Sequence, residues 1–203
     1  MDKTVNIGVL VSGSGTNLQS IIDACAAGPL NARVVCVISN RADAYALERA
    51  QNAGIPALYL DHRAYAGREA YDEALVATLR EFGVELVAMA GFMRIITPVL
   101  LEAFPNAVMN IHPALLPAFP GLHAQRQALD YGVKVAGCTV HFVDPGTDTG
   151  PIILQAAVAL LPGDTEETLS ARIQKEEHRI YPEAIRMFVE RRLSVAGRTV
   201  RIS

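Results

Sequence analysis

The feature that most constrains the fold is an alternation of short β-branched runs with longer stretches of helical periodicity over the first half of the chain. This alternation is typical of parallel strands, because each parallel strand needs a crossover helix before the next one. The sequence predicts strands at 5–11, 33–39, 57–60, 86–90 and 107–111. The helices predicted between them are 16–26, 44–53, 67–82 and 98–103.

The second half has a different pattern. The segment from His112 to Gly121 contains three prolines and a glycine. These residues exclude a helix or a paired strand in that segment, so we expect a long loop. The elements predicted after it are a helix near 123–131, strands 135–143 and 152–160 around a glycine-containing loop, a long helix capped by Asp164 or Thr165 with a kink at Pro182, and a hairpin at 193–202.

Together these elements predict an α/β fold. We expect a Rossmann-like, mostly parallel twisted sheet with helices on both faces, C-terminal antiparallel strands, a long helix and a small terminal hairpin. No repeat or linker divides the 203 residues, so they are expected to form a single domain, 1–203, with halves 1–105 and 106–203.

Composition excludes several classes of function. The formal charge is −3 and no Lys/Arg block occurs, which argues against a nucleic-acid partner. No stretch is long and apolar enough for a signal peptide or a membrane span, so we expect a cytoplasmic protein without a membrane partner. Cys25, Cys36 and Cys138 lie in apolar stretches without a C-x-x-C pair, which favours buried thiols over disulfides or a zinc site.

A glycine-rich loop follows the first predicted strand and opens a helix. Backbone N–H groups and the helix dipole converge at such a turn, where an anion can bind. The loop has no third glycine at Leu18 and no following Gly-Lys-Ser/Thr, which favours a mononucleotide-type phosphate over a dinucleotide or a triphosphate. The alternative is a strand-to-helix turn without a ligand. The candidate phosphate-binding residues are Gly13, Ser14, Gly15, Thr16 and Asn17.

Asn110 and His112 end a predicted strand, where open α/β sheets form their ligand crevices. Residues two apart on a strand point to the same side, so an amide and an imidazole can face one reacting atom. Such a pair suits acyl transfer, in which an oxyanion must be stabilised. A protonated imidazole would need a carboxylate partner, and Asp148, or alternatively Asp144, is the candidate. Spacing alone equally allows a structural histidine and a turn-forming aspartate.

Five motifs in order along essentially the whole chain resemble one enzyme family, the phosphoribosylglycinamide formyltransferases of purine biosynthesis. They are Ser12-Gly-Ser-Gly-Thr-Asn-Leu18, Ala90-Gly-Phe-Met-Arg-Ile95, Asn110-Ile-His-Pro-Ala-Leu-Leu-Pro117, Pro120-Gly-Leu-His123 and Gly150-Pro-Ile-Ile-Leu-Gln155. The chain departs from the family pattern at Ala114, where many members carry Ser, and at Gln125, where a second histidine often follows His123.

The resemblance implies the roles of particular residues. It makes Asn110, His112 and Asp148 the catalytic set for direct attack of an amine on a formyl carbon, and 1–105 and 106–203 the phosphate-binding half and the catalytic, folate-side half. The residues implied for the ribonucleotide are Gly13, Ser14, Gly15, Thr16, Asn17, Gln174 and Glu177. Those implied for the folate are Arg68, Met93, Arg94, Ile95, Ile96, Asn110, Asp144 and Asp148.

The resemblance also implies the substrates. The co-substrate is 10-formyltetrahydrofolate, the acceptor is glycinamide ribonucleotide, and the chain is expected to act on small molecules as a monomer or a homodimer. No metal is expected, because Asp144 and Asp148 alone supply too few ligands.

Each assignment has a plainer alternative. Arg68 and Glu177 could be solvated helix charges, Met93 and Ile95 could be core, and His141 is more typical of a satisfied semi-buried histidine, with support of the site as the other reading. Three other functions are expected less than formyl transfer to the ribonucleotide, because the features typical of each rival are missing from the sequence or, for the last, because the candidate catalytic trio is intact. A formyltetrahydrofolate hydrolase would usually carry an N-terminal domain, a methionyl-tRNA formyltransferase a C-terminal RNA-binding domain, and a non-catalytic nucleotide-binding module would keep the fold without chemistry.

Overall fold

The structure is a computed structural model that describes residues 4–28 and 30–203. The chain divides into two compact units, Met1–Met109 and Asn110–Ser203. The division into halves at 105 and 106 within one functional domain stays a prediction. Residues 1–3 and 29 of the predicted first half lie outside the described residues.

The first unit alternates strands and helices as the sequence predicts. Its strands are β1 (Val5–Val11), β2 (Ala32–Ser39), β3 (Ala57–Tyr59) and β4 (Leu86–Met89). Its helices are α1 (Thr16–Ala26), α2 (Tyr45–Asn52), α3 (Arg68–Glu81) and α4 (Pro98–Ala103). The strands follow the order β3-β2-β1-β4 and every pair is parallel. Their carboxyl ends therefore lie on one edge, which is where the loops that carry polar residues begin.

The core of this unit explains its strand and helix patterns. The residues of β1 from Ile7 to Val11 are buried without alternation, as expected for a strand covered on both sides. On α3 the fully buried apolar residues Leu75 and Leu79 are four apart and lie on one face of the helix. Predicted ends differ from the observed ends by single residues. One element that the sequence did not predict is a short 3₁₀ helix, His62–Ala64, which begins where the Asp61 carboxylate accepts a hydrogen bond from the Arg63 N–H.

The second unit combines parallel and antiparallel pairing. After β5 (Val108–His112), which passes from the first unit into the second, its elements are α5 (Ala124–Tyr131), β6 (Val135–Phe142), β7 (Ile152–Ala159), α6 (Glu166–Val189), β8 (Leu193–Ala196) and β9 (Thr199–Ile202). The strand order is β5-β6-β7-β9-β8. The β6–β7 and β8–β9 pairs are antiparallel, and β7–β9 is parallel. The predicted antiparallel C-terminal strands and terminal hairpin are thus confirmed.

The long helix α6 begins at Thr165, whose hydroxyl accepts a hydrogen bond from the Thr168 N–H at 3.3 Å. Of the two capping candidates, Thr165 is therefore the cap, while the Asp164 carboxylate pairs with Arg172 at 2.8 Å. The helix continues through Pro182. A kink at that residue stays a prediction.

In the part of the chain that the structure describes, no helix has both the length and the apolar character that crossing a membrane requires.

Candidate active site

Strand β5 presents two of the predicted catalytic residues. Asn110 is half-buried and His112 is buried at the carboxyl end of the strand. Because they are two residues apart in an extended strand, their side chains point to the same side, as the spacing predicts.

The imidazole of His112 lies between two oxygen acceptors. Its Nδ1 is 3.3 Å from Oδ2 of Asp148, and its Nε2 is 2.8 Å from the carbonyl oxygen of Phe119. A carbonyl or carboxylate oxygen can only accept, so a ring with a proton on each nitrogen satisfies both contacts.

Asp148, rather than Asp144, is the carboxylate at His112. The Asp148 carboxylate also accepts a hydrogen bond from the Gly121 N–H at 2.8 Å, which ties it to the loop after β5. Asp144 instead accepts from the Gly146 N–H at 3.0 Å and from the Thr149 hydroxyl at 2.6 Å. Asp144 thus shapes its own loop, and the structure separates two residues that the sequence left as alternatives.

The contacts around His112 involve a backbone conformation that is rare for residues other than glycine. Asp148 has φ 54° and Phe119 has φ 55°, both in the left-handed region. An aromatic residue there is an uncommon observation, and such conformations cluster at functional sites. The two contact partners of the imidazole are therefore both held in strained backbone.

His141 on β6 joins the same group of side chains. Its Nδ1 donates to the Phe142 carbonyl at 2.8 Å, so in the neutral ring Nε2 is an acceptor, and the Asn110 amide donates to it at 3.2 Å. The same Nε2 is 3.8 Å from Oδ1 of Asp148. Burial lowers the pKa of His141, which favours this neutral form.

The sequence predicted that His141 is a histidine with satisfied hydrogen bonds, but it did not identify Asn110 as the partner. Alternation along β6 predicts which face a residue occupies but not which strand lies beside it. The contact between residues 110 and 141 depends on that strand order, so the only sequence signal was a histidine on a predicted strand next to the candidate set.

The glycine loop of the first unit, residues 13–17, is held against α2 by hydrogen bonds. The Gly13 carbonyl accepts from the Ala46 N–H at 3.0 Å, and the Ser14 carbonyl accepts from Nε of Arg49 at 2.8 Å. Gly15 precedes α1 with φ 71°, and no side chain caps the start of this helix. The carbonyl groups of Gly13 and Ser14 thus face α2, and the binding of a phosphate by this loop stays a prediction.

Gly15 cannot be another residue without rearrangement. A Cβ at this position would lie 2.6 Å from Cβ of Ala46 and 2.8 Å from its Cα, and φ is in the left-handed region. Glycine here permits both the turn and the close approach of the loop to α2.

The residues implied for the folate in this unit lie on α3 and after β4. Arg68 is the exposed first residue of α3. Met93 is 66% exposed and Ile95 is 54% exposed, so the alternative that they are core residues is wrong. Ile96 is buried, and the Arg94 guanidinium lies over the Tyr71 ring at 5.4 Å from its centroid.

Gln174 and Glu177 lie on α6, three residues apart and therefore on one face. Glu177 is 8% exposed, so the alternative that it is a solvated helix charge is wrong. Its negative charge adds to the effect of burial in raising the pKa of the Cys138 thiol. Among residues 4–28 and 30–203, no group of three or more His, Cys, Asp or Glu side chains could hold a metal ion.

The group formed by Asn110, His112, His141 and Asp148 has a definite chemical capacity. An amide N–H and an imidazole N–H on one side of a strand can stabilise negative charge on a carbonyl oxygen, and the carboxylate behind the imidazole can hold its proton. These are the requirements of acyl transfer to an amine.

Comparison with known proteins agrees with this chemistry. Residues 5–185 match the family model described as formyl transferase. The chain is 47% identical over 191 residues to phosphoribosylglycinamide formyltransferase of Escherichia coli, covering 94% of this chain and 90% of that protein. It is 49% identical over 185 residues, 90% of its length, to the trifunctional purine biosynthetic protein adenosine-3 of Drosophila melanogaster, but spans only 14% of that longer protein.

A solved structure shows the same fold. Glycinamide ribonucleotide transformylase 1 from Symbiobacterium toebii superposes with a TM-score of 0.97 at 63% identity, over 98% of this chain and 94% of that one. The chain therefore belongs to the formyl transferase family and is a relative of its phosphoribosylglycinamide formyltransferases.

Proposed function

We propose that the protein transfers the formyl group of 10-formyltetrahydrofolate to the amine of glycinamide ribonucleotide, giving formylglycinamide ribonucleotide and tetrahydrofolate. The observation that carries the proposal is the placement of Asn110 and His112 on one side of β5 with the Asp148 carboxylate 3.3 Å from Nδ1 of His112, in a chain closely similar to enzymes named for this reaction. Family membership alone would leave the acceptor open, since folds host several functions.

The first step is attack of the amine lone pair on the formyl carbon, and the electrons of the C=O double bond move onto its oxygen. The Asn110 amide has two N–H groups, of which one donates to Nε2 of His141. The other, together with the Nε2–H of His112, stabilises this oxyanion. In the structure the Phe119 carbonyl oxygen accepts a hydrogen bond from Nε2 of His112, so we infer that the formyl oxygen replaces the Phe119 oxygen as the acceptor.

The second step restores the carbonyl and breaks the bond to N10 of the folate. The amine loses one proton and N10 gains one, so protons balance without a net acid or base. Asp148 orients the His112 ring, and the pair relays the proton that the amine loses to N10 of the folate: the ring gives one proton to N10 and regains one from the amine. The transfer is direct, with no covalent enzyme intermediate and no metal ion in any step.

The remaining residues are assigned to substrate binding. We assign the phosphate of the ribonucleotide to Gly13, Ser14, Gly15, Thr16 and Asn17, and its other groups to Gln174 and Glu177. The folate is assigned to Arg68, Met93, Arg94, Ile95, Ile96, Asn110, Asp144 and Asp148. The support is the uncapped start of α1, the exposure of Met93 and Ile95, and the burial of Glu177.

The choice of acceptor is tested by supplying 10-formyltetrahydrofolate with glycinamide ribonucleotide, with water alone, or with formyl-accepting transfer RNA. We expect tetrahydrofolate release to require the ribonucleotide and to saturate with its concentration. Equal release with water alone would assign the chain as a hydrolase, release only with the RNA would assign it as a transfer-RNA formyltransferase, and no release under any condition would favour a non-catalytic module.

A further inference from the structure

The side chain of Ser12 connects two parts of the first unit that have separate proposed roles. Ser12 is 5% exposed and comes directly before the glycine loop. Its hydroxyl donates to Oδ1 of Asn40 at 2.6 Å and accepts from the Met93 N–H at 2.8 Å. The single hydroxyl proton is therefore used on Asn40, and one lone pair on Met93.

These two bonds join residues that follow three adjacent strands. Ser12 follows β1, Asn40 follows β2, and Met93 comes after β4, in a strand order of β2-β1-β4. Ladder hydrogen bonds end with the strands, so beyond the sheet edge side chains must hold neighbouring loops in place. One buried hydroxyl does this for all three.

The segment that begins at Met93 is held at its other end as well. Asp72 on α3 accepts from the Thr97 N–H at 2.5 Å and from the Thr97 hydroxyl at 2.8 Å. Between these two anchors lie the exposed side chains of Met93 and Ile95. The backbone of residues 93–97 is therefore fixed from its buried side, while apolar side chains face outward.

We propose that Ser12 is a positioning residue for both substrates, because its hydroxyl sets the start of the phosphate loop and the start of residues 93–97 together. This inference rests on the proposed function, which assigns the loop to the ribonucleotide and Met93 to Ile96 to the folate. Ser12 acts through Asn40 and Met93, since its buried hydroxyl is already engaged by them. It takes no part in proton transfer.

The test compares Ser12→Ala with Ser39→Ala. Ser39 is a matched control, because it is fully buried at the end of β2 and its hydroxyl also donates and accepts, but only within its own turn, with Arg41. We expect Ser12→Ala to raise KM for the ribonucleotide and KM for the folate by about tenfold each, the effect of one buried hydrogen bond left unmade. The turnover number and the pH profile should stay close to wild type.

Ser39→Ala should lower the midpoint of thermal unfolding and leave both KM values unchanged. Ser12→Thr keeps the hydroxyl and should restore both KM values. If Ser12→Ala raises only one KM, or changes only thermal stability as Ser39→Ala does, the shared positioning role is wrong.

A second measurement is independent of activity. In wild type the Met93 amide hydrogen is bonded to Ser12, so Ser12→Ala should speed its exchange with solvent by about tenfold or more. The Ala90 amide, which donates to the Leu10 carbonyl at 2.9 Å, is the internal control and should not change. Unchanged exchange at Met93 would overturn the inference even if the proposed reaction is observed, and a wild-type enzyme without formyl transfer would overturn the proposed function whatever the exchange rates show.

Discussion

At the scale of single residues, the site is defined by acceptors on both sides of one ring. The His112 imidazole meets the Asp148 carboxylate and the Phe119 carbonyl. An incoming carbonyl oxygen can replace the Phe119 oxygen without changing the protonation of the ring. In the loop after β5, the Phe119 carbonyl oxygen thus lies at the position that the proposed oxyanion would take.

Removing either member of the His112–Asp148 pair should affect the chemical step. We expect His112→Ala and Asp148→Asn each to lower kcat by about 10²- to 10³-fold with little change in either KM, because both act mainly in the transition state. Steady-state kinetics with both substrates varied measure this. Asp130→Asn is the matched control, since Asp130 is an exposed aspartate on α5 that pairs with Arg126, and it should leave kcat unchanged. Near-normal turnover of His112→Ala would contradict the oxyanion assignment.

His141 should make the stability of the protein depend on pH. Burial lowers the pKa of its imidazole below the ordinary value of 6.5, so at acidic pH the unfolded chain takes up the proton more readily than the folded one. The stability that the neutral His141 contributes is complete above 6.5 and is lost as the pH falls through that value toward the folded pKa.

The comparison variant is His141→Gln, whose amide oxygen can accept from Asn110 without titrating. Urea unfolding at about pH 7.5 and about pH 5.5 should show a steeper loss of the free energy of unfolding in wild type than in the variant. An identical loss in both proteins would show that His141 is not held neutral by burial.

At the scale of elements, β6 and β7 anchor the loop that carries Phe119. The Thr139 hydroxyl donates to the Ala114 carbonyl at 2.7 Å and accepts from the Leu116 N–H at 3.0 Å, and the Gln155 amide donates to the Leu116 carbonyl at 2.9 Å. The departure from the family pattern at Ala114 leaves this anchor in place, because the contact uses its backbone carbonyl.

Thr139→Val should test that anchor, since valine has nearly the shape of threonine without its hydroxyl. Thr139 is fully buried, and the change leaves the Leu116 N–H and the Ala114 carbonyl without this partner. We expect a loss of about 1–3 kcal/mol in the free energy of unfolding, measured in urea, and a lower kcat. Thr139→Ser keeps the hydroxyl and should recover most of both. A Thr139→Val protein as stable and active as wild type would mean that the loop is held by other contacts.

Gly15→Ala should damage the phosphate loop locally. The added methyl group meets Ala46 at less than contact distance, and the left-handed φ is unfavourable for alanine, by about 1 kcal/mol or more before the clash is counted. We expect lower thermal stability and a raised KM for the ribonucleotide with the folate KM unchanged. Gly13→Ala is the control for stability, because a Cβ there meets nothing within 4 Å. Equal stability of the two variants would contradict the close packing of the loop on α2.

The sequence predicted the elements well because hydrophobic periodicity reports burial directly. It also placed Asn110 and His112 on one side of a strand, which follows from the two-residue period alone. Spacing alone could not choose between Asp148 and Asp144, because that choice depends on a left-handed residue within a loop, and it was the family resemblance that named Asp148. His141 beside Asn110 was likewise hidden, since strand order is a property of the folded chain. Met93 and Ile95 are exposed, whereas their hydrophobicity alone would predict burial. Only the family resemblance indicated a role for them in binding.

At the scale of the whole molecule, each unit contributes a distinct set of groups to the proposed reaction. The first unit offers a glycine loop with an uncapped helix start and an exposed apolar segment, and the second offers an amide, two imidazoles and a carboxylate in contact. The proposal assigns the groups of the first unit to binding a phosphate and an apolar ring system, and those of the second to stabilising an oxyanion during attack by an amine.

The most direct test of the account follows the formyl carbon itself. With the donor labelled with ¹³C in its formyl group, nuclear magnetic resonance can follow where the carbon goes as tetrahydrofolate is released. We expect the label to appear on the amine nitrogen of the ribonucleotide, in equal amount to the tetrahydrofolate formed, and the donor to stay intact when the ribonucleotide is omitted. Label recovered as formate, at a rate that does not depend on the ribonucleotide, would contradict it.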